Sequence, residues 1–233
     1  MKKCFFLLVS LIFSNAFAQE GDPKATEVWE PVPRVVTPTL NTQNPVPPPS
    51  DAVVLFNGKN LNAWQDKDGK AAQWLLSKDG SVTVVKSKGD IMTKQKFGDF
   101  QLHVEFRTPA TVVSEGQGRG NSGIFLQERY EVQVLDCFNN KTYSNGQTAS
   151  IYKQAIPLAN ACKKPGEWQV YDIIYMAPHF KEDGSLEKPA YVTVMHNGVL
   201  VQNHTELKGE TAYIGIPKYT SHGKAAIKLQ DHG

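Results

Sequence analysis

The chain has 233 residues, of which 40% are hydrophobic, 10% aromatic and 21% charged, enough to bury one substantial core and too apolar for a disordered chain. Its 25 basic and 23 acidic side chains nearly cancel. Such a chain has no field to gather polyanions, so nucleic acids and anionic membrane surfaces are poor partners.

Lys2 and Lys3 precede an apolar run, Cys4 to Phe13, and a short segment ending in Ala16-Phe17-Ala18. This reads as a secretory signal over residues 1–18, cleaved before Gln19, and implies a periplasmic or secreted protein. Its removal leaves 23 basic and 23 acidic side chains and a formal charge of zero. No later apolar run reaches the length of a membrane span. Residues 19–50 hold eight of the fourteen prolines, a composition that favours an extended polyproline leader or surface strap over a packed core.

Residues 51–233 show no sustained helical period. Short runs of alternating apolar and polar residues, broken by turn signals, predict an all-β domain. In Phe100 to Arg107, Phe100, Leu102, Val104 and Phe106 share one face, while Gln101, His103, Glu105 and Arg107 share the other. The run Gly116-Gln-Gly-Arg-Gly-Asn-Ser-Gly123 leads directly into the strand Ile124–Gln127 rather than into a helix. It is therefore no phosphate cradle but a lip that carries Asn121. In Arg129 to Leu135, Tyr130, Val132 and Val134 point inward and Arg129, Glu131 and Gln133 outward. Asn197-Gly198 predicts a hairpin between Tyr191–Met195 and Val199–Gln202. In the last strand Ile227 and Leu229 point inward, with Lys228, Gln230 and His232 outward. Several strands and turns in about 180 residues imply a two-sheet antiparallel β-sandwich.

Cys137 and Cys162 form an even pair in an oxidising compartment. One disulfide is expected, worth about 3 kcal/mol. A zinc site is not, for want of CxxC spacing or a paired histidine.

A solvated sheet face is ordinarily polar, yet these outward combs are rich in planar hydrogen-bonding groups suited to sugar hydroxyls. If the strands share a sheet, they form a trough for a neutral polyhydroxylated ligand. Glu131 to Asp136 also invites comparison with the Glu-x-Asp-x-x-Glu strand of retaining glycosidases. On a regular strand, however, residues five apart face opposite sides.

Taken together, Leu55-Phe-Asn-Gly-Lys-Asn-Leu61 with Trp64, Gly98-Asp-Phe100, Glu105-Phe-Arg107, Asn121-Ser-Gly-Ile-Phe-Leu126, Tyr130-Glu-Val-Gln-Val-Leu-Asp136, Gly166-Glu-Trp168, Tyr171-Asp172 and Leu229-Gln-Asp-His-Gly233 resemble the 3-keto-disaccharide hydrolase family. The resemblance runs from about Ala52 to the last residue. It implies a concanavalin-like jelly roll acting on glycosides already oxidised at sugar C3, with an upstream sugar 3-oxidoreductase supplying the substrate. The family's pattern continues past Gln-Asp-His-Gly into a further strand, so the domain is expected to lack its last strand.

A C3 ketone acidifies the C2 hydrogen, and a single base suffices to begin elimination. Glu131 is the leading base, Glu105 the alternative, and His232 the acid. Arg107, Asn121 and Gln133 are expected to donate to substrate or enolate. Trp168 is a candidate stacking platform, and His103 and Gln230 are secondary site members. No cofactor is required. A divalent ion is an option through His103, Glu105, Glu131 and His232, although strand-borne ligands have no diagnostic spacing. The competing readings are a noncatalytic carbohydrate-binding module and a retaining glycosidase using Glu131 and Asp136.

Overall fold

A computed structural model describes residues 21–38 and 47–232. The expected signal over 1–18, the start of the Pro45–Ser50 run and Gly233 lie outside them. The strands are β1 (Trp64–Gln65), β2 (Leu75–Leu76), β3 (Val82–Thr83), β4 (Ile91–Thr93), β5 (Phe100–Phe106), β6 (Ser122–Leu126), β7 (Tyr130–Val134), β8 (Gln169–Met176), β9 (His179–Phe180), β10 (Leu186–Lys188), β11 (Tyr191–His196), β12 (Val199–Glu206) and β13 (Lys228–Leu229). Three short 3₁₀ turns are the helical elements among the described residues, and none is long and apolar enough to cross a membrane.

The strands form a β-sandwich jelly roll. One sheet runs β1-β4-β13-β6-β7 and the other β12-β11-β8-β5, with antiparallel pairing throughout. Period-two alternation assigns the faces. Ile124, Leu126, Tyr130, Val132 and Val134 of the first sheet meet Tyr171, Ile173, Tyr175, Val192, Val194 and Val201 of the second in one core. Phe100, Leu102, Val104 and Phe106 pack against that core, as their alternation requires. The Asn197-Gly198 turn joins β11 to β12. Both residues have positive φ (51° and 79°), the requirement that selects Asn-Gly in a two-residue hairpin.

The core tyrosines carry polar ends that need partners. Tyr171 donates to the Gln133 carbonyl at 2.8 Å, linking β8 to β7 across the layers, and Tyr175 donates to Gln127 Oε1 at 2.9 Å. A second core gathers Trp64, Trp74 and Ile91.

The proline-rich segment is docked. Asn145 clamps its backbone from both directions, accepting from Val28 N at 2.9 Å and donating to the Thr26 carbonyl at 3.0 Å. Further along, the Val36 amide donates to the Asn160 carbonyl and the Asn160 amide to the Arg34 carbonyl. Asn145 and Asn160 thus satisfy an extended chain that has no ladder of its own.

Cys137 and Cys162 are buried side by side as free thiols, not as the expected disulfide. A hydrogen bond between the two sulfurs and one from Thr148 hold the Cys137 thiol below its usual range despite burial. Its neighbour is pushed well up, first by that same bond and then by burial. The apolar surroundings of Leu135 and Phe138 complete this small cluster.

Candidate active site

β7 is buried on both faces. Its inner residues fill the core. Its outer residues, Glu131 and Gln133, are only 6% and 1% exposed because neighbouring segments cover them. The segment 149–151 continues the sheet beyond β7: Gln133 N donates to the Ser150 carbonyl and Ala149 N to the Gln133 carbonyl. Thr211 Oγ1 accepts from Glu131 N at 2.9 Å.

Register places the rest of the site. Phe125 lies directly opposite Glu131, Gly123 opposite Gln133, and Lys228 opposite Phe125, so all point to the same face. A Cβ at Gly123 would stand 2.5 Å from Glu131 Oε1. Glycine is required there to leave room for the carboxyl group. With its amide turned to give each end a complementary partner, Gln133 donates to Glu131 Oε1 at 3.2 Å and to the Ser122 carbonyl at 2.8 Å. In the opposite orientation the same Gln133 amide nitrogen donates instead to Gln117 Oε1 at 3.0 Å, and Gln117 Nε2 donates to Thr142 Oγ1 at 2.8 Å. Asn121 donates to the Gln117 carbonyl at 2.9 Å.

Burial pushes the Glu131 carboxyl up to about 8. The positive charge of Lys228 opposes the shift and Asp90 adds to it. Lys228 lies 3.3 Å from Asp90 Oδ2 and over the Phe125 ring at 4.0 Å. Tyr143 and Tyr152 share a 2.7 Å hydrogen bond between their hydroxyls. Burial raises both, Tyr143 to about 12, and each also senses the charge of Glu131. The face therefore holds one protonatable carboxyl, an adjacent ammonium and several amides. That set can exchange a proton with carbon or oxygen and hold a developing oxyanion.

Of the expected site residues, Glu131, Gln133 and Gln230 belong to this sheet, and Asn121 to the loop before it. Gln230 N donates to the Gly123 carbonyl at 3.0 Å, and its Oε1 is buried without a protein partner. His232 is exposed just beyond Asp231, whose amide donates to Asp90 Oδ1. The others require correction, because β5 belongs to the opposite sheet. His103 there makes a 2.6 Å contact to Asp172 and lies 4.0 Å from Glu105, with its side chain 57% exposed. Arg107 pairs with Asp79 at 2.8 Å and stacks over Trp168 at 4.7 Å. Neither His103 nor Glu105 can reach the face of Glu131, so the four supposed metal ligands do not gather. Among the described residues no group of three or more His, Cys, Asp or Glu does.

The pairing of Glu131 with Asp136 also fails. Asp136 lies beyond the end of β7 and is buried against Arg119, with Arg119 Nε donating to Oδ2 at 3.0 Å, while Phe138 N donates to Oδ1. Sequence reasoning missed Lys228, Gln117, Tyr143 and Tyr152. Only Lys228 left a signal, as the one lysine of the outward comb.

The fold is thus a two-sheet sandwich with a buried acid on an amide-lined outer face. The chain belongs to the family of the 3-keto-alpha-glucoside-1,2-lyase-like domain, whose model matches residues 51–233. A solved structure from Parabacteroides distasonis ATCC 8503, described as a "putative glycosyl hydrolase", is 59% identical, with a TM-score of 0.80 over 90% of this chain and 89% of that one. A second protein of the same organism and description shares the fold at 22% identity, with a TM-score of 0.53 over 78% of this chain and 87% of that one. No curated protein matches.

Proposed function

We propose that the protein cleaves glycosidic bonds of 3-keto-glycosides by elimination followed by hydration. The observation that carries this reading is Glu131: a single buried carboxyl raised to about 8, beside Lys228. The nearby carboxylates Asp90 and Asp136 are committed to Lys228 and Arg119. A two-carboxylate glycosidase needs a second free acid at defined spacing. A carbon-acid mechanism needs one strong base, and a carboxylate tuned toward neutral pH is a stronger base than an ordinary one.

In the proposed reaction, ionised Glu131 removes the C2 proton, and the C–H electrons pass into the C3 ketone to give an enolate. Asn121, through its second amide hydrogen, and Lys228 supply donors for that oxygen. Collapse of the enolate restores the ketone, forms the C1–C2 double bond and expels the C1 oxygen with its bonding pair. The departing oxygen takes a proton from Glu131 or from His232. Water then adds, its oxygen to C1 and a proton to C2. A noncatalytic binding module has no reason to bury an acid at such cost. An oxidoreductase acting at C3 would supply the substrate, and the N-terminal signal would carry the protein out of the cytoplasm.

The test is incubation with a 3-keto-glucoside and, separately, its unoxidised parent in D₂O. Turnover of the keto sugar alone, with deuterium at C2 of the product, is expected. Cleavage of both sugars, or a product that keeps its original C2 hydrogen, would sink the mechanism.

A further inference from the structure

The docked leader and the turns after β7 form an open cleft of about 560 Å³, within the range of small-ligand sites. Trp29 and Glu30 line it from the leader, and Asn139, Lys141, Thr142 and Gln147 from the turns. We propose that this cleft binds a short peptide, of about two or three residues, by both of its charged ends. The site is separate from Glu131, and the inference does not rest on the cleavage reading above.

The two sides of the cleft are pinned to each other. Ser144 N donates to the Val28 carbonyl at 2.7 Å, and Ser144 Oγ donates to the Trp29 carbonyl at 2.5 Å. The Trp29 ring stands edge-on to Tyr143 at 6.1 Å between centroids, yet the residue stays 47% exposed. Its indole is an immobilised apolar face that a ligand side chain can cover without the entropy cost of ordering a loose partner. On the other side Gln147 is fixed by its backbone, its amide donating to the Ser144 carbonyl and its carbonyl accepting from Ser150 N at 3.0 Å.

Gln147 is the independent sign of a ligand. It is 4% exposed, and its Oε1 has no hydrogen-bond partner in the protein. A buried amide oxygen without a donor is costly, and the N–H of a peptide bond supplies one. Charge then selects among the ligands that carry such a donor. Glu30 and Lys141 are exposed and opposite in sign, and among the described residues neither enters an ion pair. A neutral sugar answers neither charge, and a simple amine or acid answers one. A peptide answers both, its terminal ammonium meeting the Glu30 carboxylate and its terminal carboxylate the Lys141 ammonium. Glu30 Oε2 accepts from Val32 N at 3.0 Å, which holds that carboxylate in place. Thr142 Oγ1 accepts from Gln117 Nε2, which leaves its own O–H to donate to a peptide carbonyl.

The experiment is calorimetric titration of the full chain with tri-alanine, its N-acetyl and C-amide forms, and methyl glucoside. Tri-alanine should bind, and blocking either end should weaken it about threefold, as for an exposed ion pair. Glu30→Gln should weaken tri-alanine by the same factor and show no further loss on N-acetylation. Lys141→Gln should behave in the same way toward the C-amide. Gln147→Leu should weaken every peptide roughly fivefold without lowering the thermal midpoint, because the buried oxygen it removes has no partner. Three outcomes would overturn the peptide site: no binding of tri-alanine at about 10 mM, methyl glucoside binding as tightly as tri-alanine, or end-blocking losses that persist unchanged in the two charge variants. A Gln147→Leu chain that unfolds earlier yet binds normally would show the amide serving the fold, and that also overturns it. Glu30→Gln and Lys141→Gln alter exposed residues and carry the test should Gln147→Leu fail to fold.

Discussion

The outer faces of the two sheets carry the same kinds of side chain and meet opposite fates. On β5, Glu105 stands beside His103 and Asp172 in open solvent. On β7, Glu131 is only 6% exposed and its carboxyl rises to about 8. Alternation made both combs polar. Only burial made one of them a candidate site, because a carboxylate is perturbed by what excludes water from it and not by the strand that bears it.

The sharpest way to break this contrast is to remove the two acids separately. Glu131→Gln should lower kcat on a 3-keto-glucoside by about 10²–10⁴-fold, the usual range for a lost general base. Glu105→Gln and His103→Ala should change it less than about twofold, as isolated surface changes do. Equal losses on the two sheets would return β5 to the site. Gly123→Ala should come next, with kcat down by roughly 10²-fold and stability by about 1–3 kcal/mol, because the new methyl group meets Glu131 Oε1. Steady-state rates and denaturant midpoints read both effects.

The pH profile sharpens the same comparison. If catalysis needs ionised Glu131, kcat/KM of the wild type should rise with pH through a midpoint near 8 and level off above it. Lys228→Met removes the charge that favours ionisation. The inflection should then move to higher pH, with roughly a tenfold loss at neutrality. An inflection that stays in place would remove Lys228 from the site's electrostatics.

The last effect is on stability. Glu131 ionises near 4.5 when unfolded and near 8 when folded. Between those values the folded state holds the extra proton, so stability falls as pH rises and levels off above 8. Glu131→Gln should therefore gain about 2–4 kcal/mol on the wild type in going from pH 4 to pH 9. Parallel unfolding curves at the two pH values would refute the burial argument.

The alternation of β5 and β7, the Asn-Gly hairpin and the family motifs were legible in the sequence because each is local. Sheet membership was not. β13 inserts between β4 and β6 from more than a hundred residues away, and period two reports which side a residue faces without reporting which sheet it joins. That is why His103, Glu105 and Arg107 were grouped with Glu131. The covering residues Tyr143, Tyr152 and Gln117 come from turns with no periodicity, so no pattern could announce them.

The Tyr171 hydroxyl on the Gln133 carbonyl has a further consequence. It pins, from the core side, a strand that is already hydrogen-bonded along both edges. Such a strand opens only when the whole sandwich opens, whereas the Trp29 segment hangs on a few peripheral bonds and can release by itself. The candidate base thus sits in a slowly exchanging part of the molecule, and the leader segment in a fast one. On gentle warming, amide exchange in residues 26–36 should rise well before exchange in β7.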